Sequence, residues 1–277
     1  MHLIQIALLA VIQGLAELLP VSSSAHVIVA EKLMGLDPTA PEMTLLLVML
    51  HTGTMFAVIV YFWGGWRRNY FQTRERAVAF GKQVLLATLT TGFFGFFLML
   101  VVEKVVMRGA AKAEVEMLFG NLKLVSAGLA WAGLLILLSA FLTGSKDRDG
   151  KLGSRESIWI GFVQAFCLPI RGFSRSGATI STGLILGLAK AKAEEFSFAL
   201  AVALTPAVLL REVHRLMKAP AVGTLSHPFL TSLVGMAFSF AAGLLALRWL
   251  SSWLQRGRWM FFGFYCLVFA LLVFLLS

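Results

Sequence analysis

Long apolar stretches recur along this chain, and they restrict it to folds that a lipid bilayer accommodates. An α-helix needs roughly 18 to 20 apolar residues to cross the hydrocarbon core. Inside that core every backbone polar group must be paired within the protein, so helices are the expected spanning elements. We therefore predict an all-α polytopic membrane protein, with a single membrane domain over 1–277 and about six transmembrane helices, at 43–63, 83–102, 118–142, 196–213, 228–250 and 258–276.

The composition agrees with a membrane protein. Hydrophobic residues make up 58% of the chain and charged residues 14%, whereas soluble domains carry about 25% charged residues. A net charge of +10 could indicate a nucleic-acid partner, but most basic residues lie in short loops between apolar stretches, where they act as topological signals. No nucleic-acid partner is predicted. Cys167 and Cys266 lie in apolar stretches and are expected to be buried thiols.

Two pairs of shorter apolar segments each flank a polar cluster, and each segment is too short for a span of its own. The pairs are 3–19 with 25–36, and 157–170 with 177–189. We predict that each pair forms a re-entrant hairpin, with two ordinary spans per pair as the alternative. Irregular backbone at membrane depth is tolerated only inside protein or beside a wet cavity.

The chain divides into two similar halves, about 1–142 and 155–277. Gln13 lies ten residues before Ser23. Residues 164 and 174 are again a glutamine and a serine ten residues apart. Each half has one hairpin and three spans, and three is odd, so the second half would begin on the opposite side of the membrane. This predicts an inverted-topology repeat in which the two polar clusters meet.

Orientation follows from counting basic residues on this topology. One side carries fourteen: Arg67, Arg68, Arg74, Arg76, Lys82, Lys146, Arg148, Lys151, Arg155, Lys190, Lys192, Arg248, Arg256 and Arg258. The other carries seven: Lys32, Lys104, Arg108, Lys112, Arg211, Arg215 and Lys218. The positive-inside rule places the richer side in the cytoplasm and both termini outside.

The second cluster, 171–179, has the composition of a phosphate site. Glycines flank a Ser-Arg-Ser turn that precedes an apolar helix, and backbone N–H groups at such a helix start attract anions. The guanidinium of Arg175 fits phosphate oxygens; the alternative is an arginine that reaches to the headgroups. The hydroxyls of Ser174, Ser176 and Thr179 would add donors. For Arg171 a phosphate contact and an interfacial position remain equally open.

The first cluster, Glu17 with 20–26, carries groups suited to phosphoryl transfer. Ionisable side chains at membrane depth are costly and indicate function; the alternative for Glu17 is a structural ion pair with Arg175. One of the serines at 22–24 is expected to cap a helix, and another could act as a nucleophile. His26 is suited to proton transfer near neutral pH. His51 and His214 are interpreted as structural.

At these residues the chain resembles the undecaprenyl-diphosphate phosphatase family, also called bacitracin-resistance proteins. That family carries Glu/Gln-x-x-x-Glu, then Pro-Val-Ser-Ser and a histidine, matched here by 13–17, 20–23 and His26. Its second motif, Pro-Gly-x-Ser-Arg-Ser-x-x-Thr, is matched over 172–179. The resemblance implies removal of one phosphate from undecaprenyl diphosphate, which recycles the lipid carrier for peptidoglycan synthesis and confers bacitracin resistance. It also implies a periplasm-facing site in the bacterial inner membrane, a divalent cation and a homodimer.

Two positions depart from the family pattern. Gln13 stands where many members carry the first glutamate, and Arg171 replaces the proline of the second motif. The essential groups are retained, so activity is expected to persist.

The predicted mechanism assigns a role to each cluster. Ser23 would be the nucleophile and His26 the general base and then acid, with direct water attack as an alternative. Glu17, with Gln13, would orient His26 or hold Mg²⁺ or Ca²⁺. The diphosphate would be bound by six side chains: Arg175, Ser174, Ser176, Thr179, Ser22 and Arg171. Two other functions remain open: a polyprenyl-phosphate transporter or flippase, and a lipid phosphatase of the acid-phosphatase type.

Overall fold

A computed structural model describes residues 2–37, 40–106, 121–144, 149–217 and 226–277. The all-α prediction is confirmed: these residues form ten α-helices and a π-helical turn, Val102–Val106, with one isolated bridge between Gly150 and Leu188. The helices are α1 (Leu3–Leu18), α2 (Ser23–Leu33), α3 (Pro41–Asn69), α4 (Arg74–Val101), α5 (Leu122–Thr143), α6 (Ser154–Ala165), α7 (Arg175–Ile185), α8 (Lys190–Met217), α9 (Ser226–Gln255) and α10 (Met260–Leu275).

Five of the predicted spans are helices long and apolar enough to cross a membrane, namely α3, α4 with the turn after it, α5, α8 and α9. The sixth is α10, which is equally apolar but has only 16 residues. At 1.5 Å per residue, 16 residues extend for about 24 Å, which is less than the roughly 30 Å of the hydrocarbon core. Residues 118–120, the start of the third predicted span, lie outside the described residues. The protein is a multi-pass membrane protein.

The four remaining helices are short, as their sequence segments indicated. Helices α1 and α2 have 16 and 11 residues, and α6 and α7 have 12 and 11. None reaches the roughly 20 residues of a span. The re-entrant course of each pair stays a prediction.

Local sequence explains where several helices begin. Pro41 occupies the first turn of α3, where the missing N–H of proline costs nothing. The side chain of Asn121 caps α5 by accepting from the N–H groups of Lys123 and Leu124. Ser174 caps α7 by accepting from Gly177 N–H at 3.2 Å. Such caps satisfy backbone donors that a helix start leaves unpaired.

Glycines bring the helices close together. A side chain at Gly14 of α1 would meet the carbonyl oxygen of Ser239 in α9 at 2.6 Å. One at Gly161 of α6 would meet the carbonyl oxygen of Ala87 in α4 at 2.4 Å. Small residues at helix contacts let backbones approach, which favours association in lipid, where apolar burial gives little driving force.

The helix contacts of the two halves are equivalent to one another. Helix α1 packs on α9 and α6 packs on α4. Likewise α3 packs on α9, and α8 packs on α4. Helices α3 and α8 also contact each other, as do α5 and α10. When α1–α5 are matched in order with α6–α10, the contact of α1 with α9 corresponds to that of α6 with α4, and the contact of α3 with α9 corresponds to that of α8 with α4. The contacts of α3 with α8 and of α5 with α10 correspond to themselves.

Large apolar side chains face outward along the long helices. Phe93 of α4, Trp131 of α5 and Phe141 of α5 are 71%, 70% and 82% exposed. A soluble protein rarely leaves such surfaces uncovered. A lipid surround accounts for them.

Candidate active site

The two polar clusters meet in the interior, where the loop after α1 contacts the loop before α7. The N–H of Gly172 donates to Ser24 Oγ at 3.4 Å. Ser176 Oγ donates to the carbonyl oxygen of Leu19 at 3.3 Å. The structure therefore joins two clusters that lie about 150 residues apart in the sequence.

Glu17 and Arg175 form an ion pair across this contact. Arg175 Nη2 lies 3.3 Å from Glu17 Oε1, and the two side chains are 21% and 20% exposed. The guanidinium also donates to the carbonyl oxygen of Ser197 at 3.5 Å and lies 6.0 Å above the ring of Phe198. The structural ion pair that the sequence left open for Glu17 is present.

Ser23 is the hydroxyl closest to this carboxylate. Its Oγ donates to Glu17 Oε2 at 2.5 Å, and the side chain is partly exposed. Ser23 begins α2, and Glu17 lies near the end of α1, so the tight turn between them brings the two together. Glu17 therefore contacts a hydroxyl of its own short-helix pair, α1 with α2, and a guanidinium of the other pair, α6 with α7.

His51 belongs to the same group, which the sequence analysis missed. Gln13 Nε2 lies 3.3 Å from Glu17 Oε2 and 3.2 Å from His51 Nε2. His51 Nε2 is itself 3.9 Å from Glu17 Oε2. His51 does lie in a span, α3, as its structural interpretation had it, but that interpretation did not foresee its contact with Gln13 and Glu17. No sequence motif marks His51, because it lies in the middle of the apolar helix α3, outside both polar clusters.

His26 has different partners from those predicted. Its Nδ1 donates to the carbonyl oxygen of Ser22 at 2.8 Å, and its Nε2 lies 2.7 Å from the hydroxyl of Tyr265. The ring stacks on Phe269 with 4.1 Å between the centroids. The structure shows the ring held by the carbonyl of Ser22 and by Tyr265 and Phe269 of α10, and not by Glu17 as predicted.

The backbone of the first loop is unusual at Ser22. Its φ of 67° is the one positive value outside glycine among the described residues, and such values are uncommon. Ser22 occupies the N-cap position of α2 but its side chain accepts no capping hydrogen bond; its Oγ lies 3.2 Å from Ser24 Oγ instead. The expected serine cap is therefore absent here. Strained residues often cluster at functional sites.

The predicted phosphate-binding hydroxyls of the second cluster are buried and bonded within the protein. Ser174, Ser176 and Thr179 are 3%, 2% and 0% exposed. Thr179 Oγ1 donates to the carbonyl oxygen of Arg175 at 2.8 Å and lies 2.6 Å from Ser197 Oγ. Arg171 is exposed, and its charge acts on the buried carboxylate of Glu31. Contacts from these side chains to a phosphate stay predictions.

The residues present fit a divalent cation only in part. Within the ranges that the structure describes, no three His, Cys, Asp or Glu side chains converge. Glu17 offers one carboxylate, and Gln13 presents its amide nitrogen to it. Mg²⁺ is commonly bound through one or two carboxylates together with phosphate oxygens and water. The donor set fits such a shared site and not a cage formed by the protein alone.

Fold and site together define a class of protein: a helical, multi-pass membrane protein with a polar site formed by two short-helix pairs. The family comparison agrees, since residues 6–272 match the model described as bacitracin resistance protein BacA. This chain belongs to the BacA family.

Curated relatives cover nearly its whole length. It is 57% identical over 276 residues to "Undecaprenyl-diphosphatase 2" of Acinetobacter baylyi, covering 98% of this chain and 96% of that protein. It is 30% identical over 279 residues to an undecaprenyl-diphosphatase of Bacteroides fragilis, with the same coverage. It is 29% identical over 276 residues to one of Rhodopirellula baltica, covering 100% of this chain and 98% of that protein.

Proposed function

We propose that this protein is an integral-membrane phosphatase that hydrolyses undecaprenyl diphosphate to undecaprenyl phosphate and phosphate. The observation that carries the proposal is the contact of Glu17 with both Ser23 and Arg175, within a chain whose relatives bear that activity in their names. The product would re-enter peptidoglycan synthesis. Turnover of this substrate would confer resistance to bacitracin, as the family description implies.

Ser23 is the proposed nucleophile. Its hydroxyl points at Glu17 Oε2, so the carboxylate is placed to accept the proton as Ser23 Oγ attacks the terminal phosphorus. The new Oγ–P bond replaces the bond from that phosphorus to the bridging oxygen, and undecaprenyl phosphate leaves. Water then hydrolyses the phosphoserine. In this scheme Glu17 is the general base, a role that the sequence analysis assigned to His26.

His26 would then stabilise the conformation of the loop that contains Ser22. Its Nδ1–H holds the carbonyl of Ser22, the residue with the positive φ. Its Nε2 accepts from Tyr265. A contribution of His26 to proton transfer remains the earlier prediction, and it would require the ring to release Tyr265.

Arg175 is proposed to bind the diphosphate. A guanidinium matches phosphate oxygens with two parallel hydrogen bonds, and that of Arg175 keeps about a fifth of its surface exposed. The buried hydroxyls of Ser174, Ser176 and Thr179 would support the loop that carries it and donate to phosphate if the loop opens. Ser22 and Arg171 are proposed as further phosphate contacts.

A divalent cation, Mg²⁺ or Ca²⁺, is proposed to join the substrate at Glu17. Gln13 could take part only with its amide turned to present oxygen. Bound there, the ion would neutralise charge on the phosphates. We expect EDTA to lower phosphate release and added Mg²⁺ or Ca²⁺ to restore it; full activity with chelator would remove the ion from the proposal.

Location and assembly are also proposals. The count of fourteen against seven basic residues supports an orientation with both termini outside, and the family resemblance implies a site that opens to the periplasmic face of the inner membrane. Five of those residues, Arg108, Lys112, Lys146, Arg148 and Lys218, lie outside the described residues. The contacts that exchange between the halves support an inverted repeat of 1–142 with 155–277. A homodimer follows from the family resemblance alone.

The deciding experiment measures phosphate release by the purified protein in detergent micelles, with polyprenyl diphosphates of C15 to C55. Hydrolysis in micelles supports a phosphatase, because a flippase needs two compartments and would release no phosphate. We expect Ser23→Ala to lose at least about 10²-fold in kcat, the scale of a lost nucleophile or catalytic proton transfer. Activity of Ser23→Ala near that of the wild type would indicate direct attack by water.

A further inference from the structure

The hydrogen bonds of His51 determine which of its two ring nitrogens carries the hydrogen in the neutral side chain. Nδ1 lies 2.8 Å from the carbonyl oxygen of Leu47. A carbonyl only accepts, so Nδ1 carries the hydrogen. In the neutral ring Nε2 is then an acceptor.

Gln13 connects this acceptor to the proposed catalytic carboxylate. Its amide nitrogen has two N–H bonds and lies within 3.3 Å of two acceptors, His51 Nε2 and Glu17 Oε2. Gln13 is 1% exposed. Turning the amide would leave those acceptors without their donor, and an unpaired buried polar group is costly. The ring of His51 therefore fixes the amide, and the amide fixes Glu17.

We propose that His51 is a positioning residue that acts through Gln13 to hold Glu17 against Ser23. The inference rests on the proposed phosphatase function and adds a residue to it. The oxygen that Gln13 contacts, Glu17 Oε2, is the one that accepts from Ser23.

The test compares phosphate release by His51→Leu, His51→Gln and Thr52→Val with that of the wild type. Thr52 is the matched control, because among the described residues its hydroxyl bonds the carbonyl of Val48, four residues earlier on the same helix, and no other group. We expect His51→Leu to lose about 10- to 100-fold in kcat with little change in KM, as for a lost hydrogen bond to a charged group. Glutamine can accept from Gln13 as the neutral ring does, so His51→Gln should stay within about threefold of the wild type.

Two results would overturn the inference. They are a His51→Leu variant as active as the wild type and a His51→Gln variant as impaired as His51→Leu. His51→Gln keeps the test decisive if the leucine variant fails to fold. A wild type without phosphatase activity would instead refute the proposed function.

A double-mutant cycle tests whether His51 acts through Gln13. Gln13→Leu and His51→Leu remove the same link, so the double variant should be no worse than the worse single variant. Losses that multiply would show two independent roles and contradict the inference.

Discussion

The carboxylate of Glu17 is shared among side chains from three helices. Oε2 accepts from Ser23 and from Gln13, while Oε1 accepts from Arg175. A carboxylate can accept about four hydrogen bonds, so this group has little capacity left. A substitution at any of these neighbours therefore changes the position of the carboxylate as well as its own contact.

Arg175 gives the first prediction at this scale. Arg175→Ala should lower kcat/KM by about 10²- to 10³-fold, the scale of a lost donor to a developing oxyanion. Arg175→Lys keeps the charge but loses the planar fork, so it should recover only part of that loss. Phosphate release with a C15 diphosphate measures both.

Arg76→Ala provides the control for a lost arginine. Arg76 is exposed at the start of α4 and bonds Gln72 on the protein surface, so its removal should leave kcat/KM unchanged. Full activity of Arg175→Ala would refute the assignment of Arg175 to the diphosphate.

The short helices place the reactive groups because each ends inside the protein. Helix α1 stops at Leu18 and α2 begins at Ser23, so only four residues separate them. Helix α7 begins at Arg175, directly after the loop that contains Gly172. That glycine has a φ of 92°, and a side chain there would meet the carbonyl oxygen of Val125 at 2.1 Å. The loop can take this course only with glycine at that position.

Close packing of α6 on α4 gives a prediction at the scale of elements. A methyl group at Gly161 would lie 2.4 Å from the carbonyl oxygen of Ala87. The same approach allows Thr91 Oγ1 to donate to the Gly161 carbonyl at 2.9 Å. Gly161→Ala should therefore destabilise the fold by about 1–3 kcal/mol, as overpacking does, and lower the unfolding midpoint in detergent.

Gly92→Ala is the matched control on α4. Nothing lies within 4 Å of a side chain added there, and alanine favours a helix over glycine by about 1 kcal/mol. This variant should be as stable as the wild type or more so. Equal midpoints for the two variants would contradict the packing argument.

At the scale of the whole molecule, helix contacts between the two halves explain how segments that are distant in sequence form one site. Helices α1 and α6 each pack on a long helix of the opposite half. The first polar loop is therefore held partly by α9 and the second partly by α4. Neither half alone contains both Glu17 and Arg175.

The proposed orientation gives a prediction at this scale. In a background without Cys167 and Cys266, a cysteine at exposed His2 should react with a membrane-impermeant maleimide in intact cells. A cysteine at exposed Gln72, between α3 and α4, should react only after lysis. The reverse pattern would place both termini on the cytoplasmic side and contradict the proposed orientation.

The long helices and the two short pairs could be predicted from the sequence because lipid imposes a minimum length on a span. The polar clusters could be recognised because ionisable groups are rare at membrane depth. Helices α2 and α7 begin two residues earlier than the predicted segments, since serine and arginine at 23 and 175 enter the helices instead of preceding them. The length of α10 was overestimated because an apolar run does not reveal where its helix ends.

The partners of the two histidines could not be predicted. His26 lies in a motif, yet its ring bonds Tyr265, 239 residues away. His51 lies outside every motif, yet it stands beside Gln13 and Glu17. Such contacts depend on which faces of distant helices meet, and no local pattern encodes that.

The sequence by itself determined that this chain enters a membrane and that it has two pairs of short segments, and it predicted that those segments carry groups suited to phosphate chemistry. These features follow from local composition and length, which act independently of the final packing. Only the tertiary structure decided that Glu17 bonds Ser23, Arg175 and Gln13, and that His51 and not His26 stands beside it. The reason is that hydrogen bonds require approach within about 3 Å, and helix packing alone sets distances at that scale.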